Sequence, residues 1–339
     1  MAEPLLELTD LVTTYRLRAG IGRPGGEVRA VAGVSLTVHA GETVGLVGES
    51  GCGKSTVART IVGLVRPSSG KVLFEGRDLA ALPARELRRL RREIQLVFQD
   101  PYAALNPRMK VADLIKEAWR IHPGLVPRER WDAEVGALLD RVGLRPEHAG
   151  RYPHQFSGGQ RQRISIARAL AVRPRLIVCD EAVSALDVSV RAQILNLLGE
   201  LQRDLGVAYL FISHDLGVVR HLCDRVAVMY LGKVVETGSK EDVYRSAAHP
   251  YTQALLSAAP SVDDWRGGER GEIVLSGDVP SPLDPPSGCP FRTRCWKVQD
   301  RCRDEEPALI GRDTGHPVAC HFPDAPATPA AGGGRVLKE

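Results

Sequence analysis

The stretch TVGLVGESGCGKSTVARTIVGLV, Thr43 to Val65, is where the fold is decided. An apolar run, Val44 to Val47, passes through a glycine-rich turn into a segment whose apolar residues recur at helical spacing. The pattern GxxxxGK[ST] is filled by Gly48 to Ser55. Gly48, Gly51 and Gly53 let the backbone curl so that its N–H groups face phosphate oxygens, and the N-terminus of the next helix adds its dipole. The expected cradle is Gly48, Glu49, Ser50, Gly51, Cys52, Gly53 and onward to Thr56. Lys54 would reach the β- and γ-phosphates of ATP, and Ser55 would ligate Mg²⁺. A strand before the turn and a helix after it separate this reading from an ordinary glycine-rich turn.

Further along, LIVCDE (Leu176 to Glu181) is an apolar run that suits a buried parallel strand and ends in two carboxylates. Asp180 would hold Mg²⁺, and Glu181 would activate the attacking water. A third such run, AYLFIS at Ala208 to Ser213, leads into His214. Ligands of open α/β sheets gather at the carboxyl ends of strands, so these runs converge on one site. Composition fits that class: 339 residues, 43% hydrophobic and 25% charged. The formal net charge of +4 gives no electrostatic footprint for nucleic acid, and none is expected as a partner. The basic run RELRRLRREIQ, Arg85 to Gln95, interleaves arginines with leucines at helical spacing and reads as a solvated helix face. No apolar stretch approaches the roughly 18 to 20 residues of a membrane span, so a cytoplasmic chain is expected.

Between the two halves lies FSGGQRQRISIARAL, beginning at Phe156. A serine and paired glycines at a helix start make a second anion-binding N-terminus, one more than a single nucleotide needs. With this segment the chain resembles ABC transporter ATPases from residue 4 to about 255. The resemblance implies a P-loop α/β fold: a RecA-like core, an antiparallel β subdomain and a helical subdomain. It also implies head-to-tail pairing with a second ATPase subunit, identical or merely similar. Each ATP would then lie between one phosphate loop and the opposite Ser157, Gly158, Gly159 and Gln160. Tyr15 stands where the family stacks an aromatic ring on adenine. Gln99 matches the glutamine that senses Mg²⁺ and the attacking water, and His214 the switch histidine at the γ-phosphate. Ser184 to Asp187 matches the loop joining the two ATP sites. Phe156 in place of leucine, and Ala182-Val183 in place of proline-threonine, depart from the common pattern without removing a phosphate, metal or base contact.

VFQDPYAALNPRM, Val97 to Met109, and HPYTQALLSAAP, His249 to Pro260, are similar to oligopeptide and dipeptide importer ATPases. Nickel and other small-solute importers share this architecture. A soluble ABC ATPase of translation or DNA repair is the rival from another class, and the chain lacks the second cassette or long insertion those carry. The importer resemblance implies two transmembrane permease subunits, an extracellular solute-binding protein, and a place on the cytoplasmic face of the membrane. Residues 256–325 read as a C-terminal extension and 326–339 as a disordered tail. The extension is dense in proline and glycine, and a segment so poor in apolar residues needs a staple. Cys289, Cys295, Cys302 and Cys320 supply four thiols for it. Four cysteines suit zinc or a [4Fe–4S] cluster, and free thiols stay open. The matching segment in dipeptide-importer ATPases is linked to a cluster. Cys179 reads as a core filler.

Overall fold

The computed structural model describes residues 3–17, 26–258, 273–311 and 315–324. The expected tail at 326–339 lies outside them. The chain opens with β1 (Leu6–Leu17) and β2 (Gly26–Val38), then β3 (Thr43–Val47), α1 (Lys54–Ile61), β4 (Ser69–Phe74) and β5 (Arg77–Asp78). After α2 (Ala84–Arg91) and β6 (Ile94–Val97) comes a helical excursion: α3 (Pro101–Ala104), α4 (Val111–Ile121) and α5 (Trp131–Arg141). The core resumes with α6 (Gly158–Leu170), β7 (Leu176–Asp180), α7 (Val188–Leu205), β8 (Ala208–Ser213) and α8 (Leu216–Leu222). A hairpin of β9 (Arg225–Tyr230) and β10 (Lys233–Ser239) follows, then α9 (Lys240–Arg245) and α10 (Pro250–Ser257). The appendage holds α11 (Arg301–Asp304), β11 (Ile310–Gly311) and β12 (Pro317–Val318).

The main sheet has the order β11-β12-β10-β9-β3-β8-β7-β6. Its centre, from β9 to β6, is parallel. Side chains alternate across it with period two. Val44, Leu46, Val178, Leu210 and Ile212 face one core, which also takes Leu6, Leu8 and Val31 of the second, antiparallel sheet β2-β1-β4-β5. Val47, Cys179, Tyr209 and Phe211 face the other core, shared with α4, α5, α6 and α7. Cys179 is the core filler expected of it: burial pushes its thiol up to about 12.

In α4 the residues Val111, Leu114, Ile115 and Trp119 are buried, an i, i+3, i+4, i+8 stripe that faces the core. Trp119 donates its ring N–H to the Ala171 carbonyl at 2.9 Å and fastens the helical layer to the end of α6. The arginine run is helical only as far as Arg91; Ile94 and Gln95 pair with Leu176 and Ile177 as β6. Its arginines lie largely on the solvent side, while Leu90 turns inward.

The appendage joins the main sheet. β12 meets β10 at Glu236↔Val318, and the Ala319 N–H donates to the Val235 carbonyl at 2.7 Å. Phe291, fully buried, packs its ring 5.2 Å from Tyr230 and 5.4 Å from Tyr251. Glu236 is also fully buried; its carboxylate accepts the N–H groups of Ala248 (2.7 Å) and His249 (3.2 Å) and pairs with His316 at 2.7 Å. That carboxylate fixes the approach to α10 from the sheet edge.

Candidate active site

The loop between β3 and α1 is shaped by what surrounds it. Gly53 takes φ 106°, and a Cβ there would lie 2.0 Å from the Ala30 carbonyl oxygen of β2, so only glycine fits. The same approach brings the β1–β2 ribbon to the loop, and Tyr15 sits on that ribbon opposite Val28. Lys54, the first residue of α1, is 3% exposed and donates to the carbonyls of Gly48 (2.7 Å) and Glu49 (2.9 Å). A buried ammonium is tolerated because these oxygens replace its water. Cys52 lies beside it, Sγ to Nζ 3.8 Å, with burial raising its thiol pKa.

Three strand ends bring oxygen ligands and a carboxylate to this lysine. Ser55 donates its hydroxyl to Asp180 at 2.9 Å. Burial raises the pKa of Asp180, and the Ser55 hydrogen bond works the other way. These hard oxygens suit Mg²⁺. Glu181 holds φ 48°, a conformation L-residues rarely adopt, and its N–H donates to the Ile212 carbonyl of β8 at 3.0 Å. The turn leaves its carboxylate 12% exposed, 3.8 Å from Lys54 and 3.5 Å from His214 Nδ1. Gln99 donates to the same carboxylate at 2.9 Å and to Ser184 Oγ at 3.3 Å. Lys54, Ser55, Gln99, Asp180, Glu181 and His214 are thus drawn together from separate parts of the sequence.

Ser157, Gly158, Gly159 and Gln160 stand apart from this group. Ser157 caps α6, accepting the Gln160 N–H at 3.4 Å, while the Gln160 side chain accepts the Ser157 N–H at 3.1 Å. A Cβ on Gly159 would lie 2.3 Å from Val190 of α7. Asp187, at the start of α7, is exposed. Among the described residues no hydrogen bond or ion pair links the Ser157 segment to the phosphate loop of the same chain.

Comparison with known proteins shows the family. The ABC transporter family profile matches residues 31–184, and that of the oligopeptide/dipeptide transporter C-terminal region matches residues 235–302. The oligopeptide transport ATP-binding protein AppF of Bacillus subtilis is 51% identical over 94% of this chain and 98% of its own. The oligopeptide transport ATP-binding protein OppF of Salmonella typhimurium is 49% identical over 93% and 95% of the two chains. The chain belongs to the ATP-binding subunits of the oligopeptide/dipeptide ABC transporter family. It is an ABC ATPase. Among solved structures, the cassette MJ0796, dimeric and bound to ADP and Pi, superimposes with a TM-score of 0.62 at 29% identity, over 69% of this chain and 98% of its own. The structure of cbiO1 from Clostridium perfringens gives 0.61 at 28%, over 72% and 91%.

In this ABC ATPase the appendage reaches the nucleotide loop, which sequence reasoning did not find. The Glu49 N–H donates to the Tyr251 hydroxyl at 2.8 Å instead of facing the cradle, and the Glu49 carboxylate takes both guanidinium nitrogens of Arg294 at 2.7 and 3.0 Å. In the sequence, the segment around Tyr251 is only a mark of resemblance to peptide-importer ATPases and gives no sign of a role at this loop. The four appendage cysteines line one cavity with His249 and Phe291. The expected metal site is not closed: among the described residues no three His, Cys, Asp or Glu side chains are grouped to hold a metal ion. Burial pushes the thiols of Cys289 and Cys320 up to about 12 and about 11, so they stand as neutral thiols. Among the described residues, no helix is long and apolar enough to cross a membrane.

Proposed function

We propose that this chain energises the import of oligopeptides or dipeptides, as one of two cassettes that close on ATP and move a pair of permease subunits. One observation carries the reading: a complete hydrolytic group at Lys54, Gln99, Glu181 and His214, with a second phosphate cradle at Ser157 unconnected to it. The second cradle then serves the partner cassette, with Tyr15 against adenine on the near side and Asp187 at the joint between sites. Glu181 accepts the proton of the attacking water, and Lys54 and His214 meet the phosphate charge. Ser55, Asp180 and Gln99 would hold Mg²⁺, which when bound would supply neutralisation of that charge. The division into a cassette (residues 4–255) and an extension (256–325) belongs to the same proposal. A groove lined by Val62, Leu64, Leu96, Phe98 and Ala104 lies beside the Gln99 loop, with Leu64 62% and Phe98 40% exposed. The exposed apolar side chains of this groove, which Arg91, Gln95, Ser165 and Arg168 also line, suit a permease helix. The place of action is then the cytoplasmic face of the membrane, with a solute-binding protein engaged through the permease outside.

The four cysteines belong to the proposal as ligands of an iron–sulfur cluster, with zinc as the alternative metal. Support comes from the one cavity that all four side chains line. A cluster held there would staple the appendage. Iron and acid-labile sulfide in anaerobically purified protein are the expected result; zinc alone or bare thiols would reject the cluster.

Uptake of labelled peptides by cells deleted for this chain tests the cargo. Peptide uptake should be lost, restored by the wild-type chain and not by Glu181→Gln. Retained peptide uptake with loss of nickel uptake would overturn the peptide reading. Detergent extraction with the Glu181→Gln chain should recover two polytopic subunits. Recovery of ribosomes or DNA-associated proteins instead would place the ATPase outside transport.

A further inference from the structure

Arg294 and Glu49 meet fork to fork, the arginine side chain 8% and the glutamate 26% exposed. Breaking a pair so shielded leaves a poorly solvated charge behind. Glu49 is held from other sides as well: its N–H by the Tyr251 hydroxyl at 2.8 Å, and its carbonyl by Lys54 Nζ at 2.9 Å. The position of Lys54 in the loop therefore depends on where Glu49 stands. The Glu49 side chain also brings a carboxylate to a loop built to receive a polyanion. Like charges at such range repel strongly where water is partly excluded, and Arg294 is the cation that cancels this one. Simple docking of the appendage already has the buried Phe291 and the β10–β12 pairing. The fork adds little to that, and much to the charge and setting of the loop.

We infer that Arg294 is a positioning residue of the ATP site. Supplied by the appendage, it acts through Glu49: it neutralises the carboxylate and fixes the Glu49 carbonyl beneath Lys54, so that the loop meets the triphosphate preset and without net repulsion. The inference rests on the ATPase assignment and is independent of the cargo. Appendage and nucleotide affinity are thereby coupled in one chain.

The test uses the full-length chain in its assembled membrane complex, with the Kd of a non-hydrolysable ATP analogue plus Mg²⁺ and the KM and kcat of phosphate release. Arg294→Gln should raise Kd and KM about tenfold, with kcat changed by less than about twofold, since binding and not the chemical step is affected. Removing the stranded carboxylate in the double variant Glu49→Gln/Arg294→Gln should bring Kd back to within about threefold of wild type. Arg294→Lys keeps the charge and loses the fork, and should raise Kd about threefold. An unchanged Kd in Arg294→Gln, or a double variant no better than the single one, overturns the inference. If Arg294→Gln does not fold, an unchanged Kd in Arg294→Lys overturns it, and a rise upholds it. Failure of the wild-type chain to bind the analogue would instead strike the ATPase assignment.

Discussion

At Glu181 the backbone is held in a left-handed conformation that costs an L-residue about 1–2 kcal/mol. The cost is offset by the Ile212 carbonyl, and the turn throws the carboxylate into the group formed by Gln99, His214 and Lys54. Replacing that carboxylate by an amide of the same shape keeps the turn and removes the base. Glu181→Gln should therefore cut phosphate release by about 10² or more while ATP stays bound. Lys54→Ala should abolish binding, because the phosphates lose their buried cation. Equilibrium binding of a fluorescent ATP analogue alongside phosphate release separates the two. A Glu181→Gln chain hydrolysing at the normal rate would remove Glu181 from the role of base. The residue types were legible in LIVCDE; the φ of 48° was not, because it depends on β8 lying beside β7.

Among the elements, α10 shows how a short helix is made to start at a fixed point. Pro250 occupies its first turn, and His249 caps it, Nδ1 accepting the Tyr251 N–H at 3.1 Å. An accepting Nδ1 must be unprotonated, and burial, which outweighs the pull of Glu236, lowers the His249 pKa to about 4. The unfolded chain binds a proton at about pH 6.5, before the folded one does. Stability from this cap is thus full above about pH 6.5 and falls as pH drops toward about 4, by about 3 kcal/mol at most. Denaturant unfolding at pH 7 and pH 4.5 checks this. His249→Asn, which keeps a capping side chain and removes the titration, should flatten the decline. Parallel declines in both proteins would assign the pH dependence elsewhere. The parallel strands β3, β7 and β8 were readable from their apolar runs, whereas β11 and β12 were not. Each of the latter is two residues long: β12 exists by pairing to β10, and β11 by pairing to β12.

For the whole molecule, the decisive contact is Phe291 in the aromatic nest of Tyr230, Tyr251 and His249. Truncating it opens a cavity between appendage and cassette. Phe291→Ala should cost about 3–5 kcal/mol of unfolding free energy, read as a shift in the urea midpoint. A loss below about 1 kcal/mol would mean that the appendage is held by other contacts. Through this joint the cysteine-bearing segment, Arg294 and the phosphate loop become one body. By itself the sequence determined the fold class, the phosphate loop, the acidic pair and the family, since each is written in residues close together whose spacing has local meaning. That strand ends bring Glu181 and His214 to the phosphate loop was legible in the apolar runs, whereas Gln99 joining them could be anticipated only through resemblance. The tertiary structure alone decided that Glu49 answers to Arg294, 245 positions away. Such a pair has no periodicity and no motif; it forms because β10 takes β12 at its edge, Phe291 finds an aromatic pocket, and a half-buried carboxylate needs a cation beside it.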